Sequence, residues 1–165
     1  MNATKIVLAL CMGAALVGAA HADPVSKTIT LTAQINDAIF VSKPDGSTWY
    51  STEELSADDY HQNHFSKTLQ VRVYSTKADF NVSLAQPLQM TSGKYMMLNP
   101  SVVLGDKDFS KGTAKVTQTT PGVDPGTFDQ TYDLKIGVDS PTVPAGESRN
   151  GSYSGDLVML FEPTP

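Results

Sequence analysis

The 165-residue sequence contains one cysteine, one tryptophan and three histidines, and it is short of positive charge. With Cys11 the only thiol, no intrachain disulfide can form, so the chain must be held by its core. The 12 Lys and Arg against 17 Asp and Glu give a net charge of −5, which argues against nucleic acid and anionic membrane surfaces as partners. Apolar residues nowhere recur at helical spacing over a length that would make a stable helix. The longest apolar run, Ile6 to Ala20, is rich in Ala and Gly and falls short of the roughly 20 residues a membrane span needs. Catalytic patterns are missing as well. Gly151-Ser-Tyr-Ser-Gly155 lacks the glycine-x-serine-x-glycine order of a nucleophile elbow, and Asp106-Lys-Asp108 is too short for a calcium loop. His61 and His64, with Asp58 and Asp59 upstream, have the residue types of a metal site, but in so polar a stretch they are expected to be solvated. No enzyme activity, metal or cofactor is therefore expected.

The first 22 residues carry a signal. Lys5, the apolar run and Ala20-His21-Ala22 follow the basic, apolar, small-x-small order of a secretory signal peptide cleaved after Ala22. A lipid-anchored terminus at Cys11 does not fit, because bulky Leu10 precedes it and the apolar run continues past it. Cleavage removes Cys11 and Lys5 and leaves 143 residues, from Asp23 to Pro165, with 11 basic and 17 acidic groups, a net charge of −6. That length suits one domain. Asn81-Val-Ser83 and Asn150-Gly-Ser152 match the glycosylation sequon, a pattern short enough to arise by chance.

Period-two alternation then dominates. In Val25 to Ile35, the residues Val25, Lys27, Ile29, Leu31, Ala33 and Ile35 point to one side of an extended backbone, and Ser26, Thr28, Thr30, Thr32 and Gln34 to the other. Alternation defines a strand but not its partner, so this segment either pairs within its own domain or reaches into a neighbour. After a break at Asn36-Asp37 come a short strand, Ala38 to Val41, and the turn Pro44-Asp-Gly46. Ser47 to His64 is polar, and Ser51 followed by Glu54 has the spacing of a capping box that starts a short helical turn. Strand patterns return at Phe65 to Tyr74 and Phe80 to Leu84, then in short runs at Tyr95 to Leu98, Val102 to Leu104 and Ala114 to Thr119, split by Asn99-Pro100 and Gly105. Phe128, Gln130, Tyr132, Leu134, Ile136 and Val138 share one face of a long strand. Leu157 to Phe161 is apolar on both faces, which predicts a central strand. Short strands separated by turns about every ten residues predict an all-β fold of two packed sheets.

The segment Val25 to Ile35 with Ala38-Ile-Phe-Val41 and Pro44-Asp-Gly-Ser47, together with Ala145-Gly146 and Tyr153 to Phe161 near the end, resembles the CS1-type (CFA/I-like, alternate chaperone–usher) fimbrial subunits of Gram-negative bacteria. One departure is Asp37, which stands where that family has proline. The resemblance implies an immunoglobulin-like β-sandwich that is incomplete and is completed by donor-strand exchange, the N-terminal arm of one subunit filling the groove of the next. Its expected organisation is a signal peptide at 1–22, a donor arm at 23–36 and a pilin domain at 37–165. The donor residues would be Val25, Lys27, Ile29, Leu31, Ala33 and Ile35. The implied partners are identical or related pilin subunits, a periplasmic chaperone, an outer-membrane usher and a host-cell receptor. The implied location is a fimbrium at the cell surface, reached through the periplasm. A minor or tip subunit that binds the receptor, or a soluble secreted β-sandwich binding module, are the alternatives.

Overall fold

The structure, a computed structural model, describes residues 38–164, all within the unit Ile35–Pro165. The described residues form strands and no helix: β1 (Ile39–Ser42), β2 (Ser56–Ala57), β3 (His64–Ser75), β4 (Asp79–Leu84), β5 (Thr91–Ser92), β6 (Tyr95–Met96), β7 (Leu98–Leu104), β8 (Lys107–Asp108), β9 (Ala114–Thr117), β10 (Phe128–Asp139) and β11 (Met159–Pro163). The arm predicted at 23–36 and the break at Asn36-Asp37 lie outside the described residues.

β3 and β10 are the backbone of the larger sheet. They pair antiparallel without interruption from His64 opposite Asp139 to Ser75 opposite Phe128. Their alternation explains why they meet in that register. Val71 and Val73 on one strand and Tyr132, Leu134, Ile136 and Val138 on the other are buried, while Thr68, Gln70, Thr131, Asp133 and Lys135 are exposed. A slip of one residue would exchange the two faces. The larger sheet runs β1-β3-β10-β7-β8, with β2 also on β3, and the smaller runs β11-β4-β9; β5 and β6 form a separate hairpin. Phe80, Val82 and Val116 of the smaller sheet close on Val71, Val73, Val102, Leu104 and Leu134 of the larger. Two buried polar side chains in this core are matched: the Ser75 hydroxyl donates to Gln118 Oε1 at 2.7 Å, and Gln118 Nε2 donates to the Val73 carbonyl at 2.7 Å.

Several expectations hold locally. Pro44-Asp-Gly46 is a turn, closed by Gly46 N–H to the Lys43 carbonyl at 2.9 Å, with Gly46 at φ 78°. Others are corrected. Ser51 to Glu54 forms no helical turn; it is irregular chain held along the sheet, with the Tyr50 hydroxyl donating to the Gln70 carbonyl at 2.9 Å and Glu53 pairing with Lys67 at 3.3 Å. Asn99-Pro100 does not separate two strands. Asn99 takes a left-handed φ of 47° within β7, opposite the register shift between Gly137 and Asp139, and so passes through the irregularity without ending the strand.

The largest correction concerns the last strand. Leu157 to Phe161 reads as central, but β11 starts at Met159 and among the described residues pairs with β4 alone, because β4 holds the middle of the smaller sheet and β9 takes its other edge. Val158 and Leu160, expected to be buried, are 44% and 43% exposed. The preceding residues are spent on a close crossing: Ser154 bridges to Thr91, and a Cβ added at Gly155 would lie 1.9 Å from the Gln89 carbonyl oxygen.

Candidate functional site

The two sheets come together differently along their two sides. On one side β8 lies beside β9, and the residues there are sealed: Phe109, Val116, Val102 and Leu104 are all buried. On the other side β1 approaches β11, and the inward residues Ile39, Val41, Leu69, Met159 and Phe161 remain half-buried. Among the described residues one half of the sandwich thus has a finished core and the other an unfinished one. Among the described residues no strand pairs with the second edge of β11. Along that edge Leu157 to Phe161 has no charge and no proline, and the strand ends in Glu162 and Pro163.

The chain between β1 and β2 spans this open side. Trp49 packs edge-on against Phe161 with centroids 6.4 Å apart, and Phe161 packs on core Phe80 at 6.0 Å. Tyr50 meets Trp49 at 5.7 Å, and the Lys43 ammonium sits 4.9 Å from the Tyr50 ring centroid. Trp49 therefore ties the edge of the larger sheet to the last strand of the smaller one. Sequence reasoning missed this role, although a lone tryptophan in a polar stretch was the available signal.

The two ends of the sandwich also differ. At the first end, Ala38 and Thr76 exchange hydrogen bonds at 3.2 Å, Gln118 N–H reaches the Ala78 carbonyl at 2.7 Å, and Thr164 N–H reaches the Asp79 carbonyl at 3.3 Å. Thr117 and Lys115 hold the Asp79 carboxylate at 2.6 Å and 2.8 Å, and lower its pKa, Lys115 more than Thr117. Arg72 forks onto Asp129 nearby, holding that carboxyl below its usual range.

At the second end His64 lies 2.6 Å from Asp139 and 3.8 Å from Asp58, whereas His61 stacks on Tyr60 at 3.9 Å. The two histidines are thus separately engaged. Among the described residues no three His, Cys, Asp or Glu side chains are grouped as a metal site would require. Asn99, donating at 2.8 Å, and then His64 lower the Asp139 pKa. Arg149, which the sequence did not single out, pins this end by donating to Asn63, to Ser140 and, at 2.8 Å, to the His61 carbonyl. Asn81 is half-buried on β4 and Asn150 exposed near Arg149. The predicted donor residues Val25, Lys27, Ile29, Leu31, Ala33 and Ile35 lie outside the described residues.

The described residues thus form an all-β, immunoglobulin-like sandwich with one sealed side and one open apolar side. A model of the CS1 type fimbrial major subunit family matches residues 25–162, and the chain belongs to that family. The fold is similar to that of the CooA pilin subunit from enterotoxigenic Escherichia coli, with a TM-score of 0.62 and 17% sequence identity over 74% of this chain and 85% of that one. No curated protein matches the sequence. The protein is a structural subunit of a fimbrium, exported and built into fibres at the cell surface with other pilin subunits. The family is one of major subunits, which favours this reading over a tip adhesin or a soluble binding module.

Proposed function

We propose that residues 23–36 are a donor arm, and that Val25, Lys27, Ile29, Leu31, Ala33 and Ile35 of one subunit fill the open side between β1 and β11 of the next. The observation that carries this reading is the half-buried apolar row, Ile39, Val41, Leu69, Met159 and Phe161, beside an edge of β11 with no partner among the described residues. Strand addition supplies both missing parts: main-chain hydrogen bonds to the edge, and alternate side chains in the gap. Lys27 lies near the arm's start, where its stem covers apolar surface and its ammonium reaches water. Residues 1–22 are the signal peptide, and 37–165 the pilin domain. Until an arm arrives, an exposed apolar edge invites aggregation, which is the reason for a periplasmic chaperone and for an outer-membrane usher that exchanges it for the next subunit. In this reading the protein is a building block and not a catalyst, and any host receptor is met by the assembled fibre.

The test is co-expression of the full chain with a variant lacking residues 23–35. The truncated subunit should accept an arm but donate none, so fibres measured by electron microscopy shorten as its share rises. A truncated domain that stays unfolded both alone and beside the full chain would place the arm in its own subunit and end the proposal.

A further inference from the structure

β11 runs from the second end of the sandwich, where Met159 faces Leu84, to the first, where Pro163 faces Phe80. Every strand pair among the described residues is antiparallel. An arm continuing that pattern beside β11 ends, at Ile35, at the second end of the subunit that receives it. The arm's own body resumes at Ala38, which lies at its first end. Consecutive subunits then stack first end to second end, a geometry that rests on the donor-arm reading.

Those two ends carry a projecting loop and a hollow at opposite limits of one strand. Just before β10 begins, at the first end, the loop 121–127 projects Val123, which is 96% exposed. The loop is firmly built: Gly122 N–H reaches the Thr127 carbonyl at 2.8 Å, and the Thr127 hydroxyl donates to the Asp124 carbonyl at 2.7 Å. A Cβ on Gly122 would lie 2.3 Å from Thr127 Oγ1, so the closure is tight. Where β10 ends, at Asp139, the second end has an open hollow of about 850 Å³, lined mostly by polar residues, His64, Asp139, Glu147 and Arg149 among them, with Leu98, Pro141 and Val143 as its apolar part. The loop holds its valine wholly in water within one subunit, and stacking along β10 brings it to the apolar residues Leu98, Pro141 and Val143 of that hollow.

We propose that Val123 of each subunit seats in the hollow at the end of β10 of the subunit that receives its arm, so that consecutive bodies touch knob to hole beside the donor strand. The occupant is a second copy of this chain, because the protein assembles with its own kind and the knob and hole continue the joint made by the arm.

The experiment places thiols at both positions in assembled fibres. The described residues contain no cysteine, and both sites are exposed, so Val123→Cys and Leu98→Cys leave the core untouched. Treating fibres of the double variant with a short bismaleimide should give a ladder of covalent oligomers after denaturation, at least tenfold above either single variant. Intact fibres that denature only to monomers would overturn the knob-and-hole contact while leaving the donor arm standing. Adding Leu31→Asp to the double variant separates the other failure: it should remove fibres and ladder together, and fibres that persist would refute the donor arm itself.

Discussion

Tyr132 meets Phe80 edge-on in the core, with ring centroids 6.2 Å apart, and its hydroxyl has no hydrogen-bond partner among the described residues. Burial pushes its pKa up to about 12, because the phenolate would be charged in an apolar surrounding. The stabilising effect of keeping it neutral is complete below the unfolded value of about 10 and is lost as pH rises through about 12. A buried donor without a partner costs about 1–3 kcal/mol, so Tyr132→Phe should stabilise the domain by about 1 kcal/mol at neutral pH and reduce its loss of stability above about pH 10. Urea denaturation of both proteins checks this; a midpoint that falls with an unchanged slope would show that the hydroxyl is satisfied after all. Nothing in the alternation of Phe128 to Val138 foretold the orphan, since period two says which face a tyrosine lies on and not what its oxygen meets.

Among the elements, β3, β4 and β10 were legible because each is long or strictly alternating, and each has one buried face. The misreadings fall where a segment does two things. Leu157 to Phe161 is apolar on both faces, which suggests burial on both; in the described domain one face is core and the other open, a pattern suited to a strand whose surroundings come partly from another chain. Ser51 to Glu54 has capping-box spacing, but Tyr50, Glu53 and Leu55 are committed to β3 and the core, and tertiary contacts outweigh a local helical preference. The approach to β11 depends on Gly155 lying against Gln89. Gly155→Ala forces that backbone apart, and with it the Thr91–Ser154 bridge, so it should destabilise the domain by about 1–3 kcal/mol in thermal or urea unfolding. An unchanged midpoint would show that the crossing gives way at no cost.

For the whole molecule, the sandwich could be read from strands and turns, and the family from the residues at its two ends. The open side could not, because it is a property of how β1 and β11 meet across residues 43–158, and no local pattern records it. Its energetic consequence lies in the arm. Val25, Ile29, Leu31 and Ile35, each buried in a neighbour at about 1.5–3 kcal/mol, would contribute roughly 6–12 kcal/mol gross to a joint. Leu31→Asp should therefore abolish fibres, since a buried unpaired carboxylate costs several kcal/mol, whereas Thr30→Asp, on the polar face, should only lower their yield. Counting surface fibres on cells expressing each variant decides it, and equal counts would show that the alternation of the arm has no bearing on assembly.

The uninterrupted pairing of β3 with β10 bears on time as well as on stability. Residues 76–127 separate the two strands, so the longest ladder of the sheet forms only after that intervening chain has been gathered in. Domains dominated by such distant pairings fold in milliseconds to seconds, while helical bundles finish in microseconds to milliseconds. During that interval Val71, Val73, Leu134 and Val138 face water on unpaired strands, and nascent subunits delivered in quick succession stick to one another most readily then. The rate at which subunits can be exported without loss is thereby bounded by a topological property of the sheet, before any groove has formed that an assembly partner could grip.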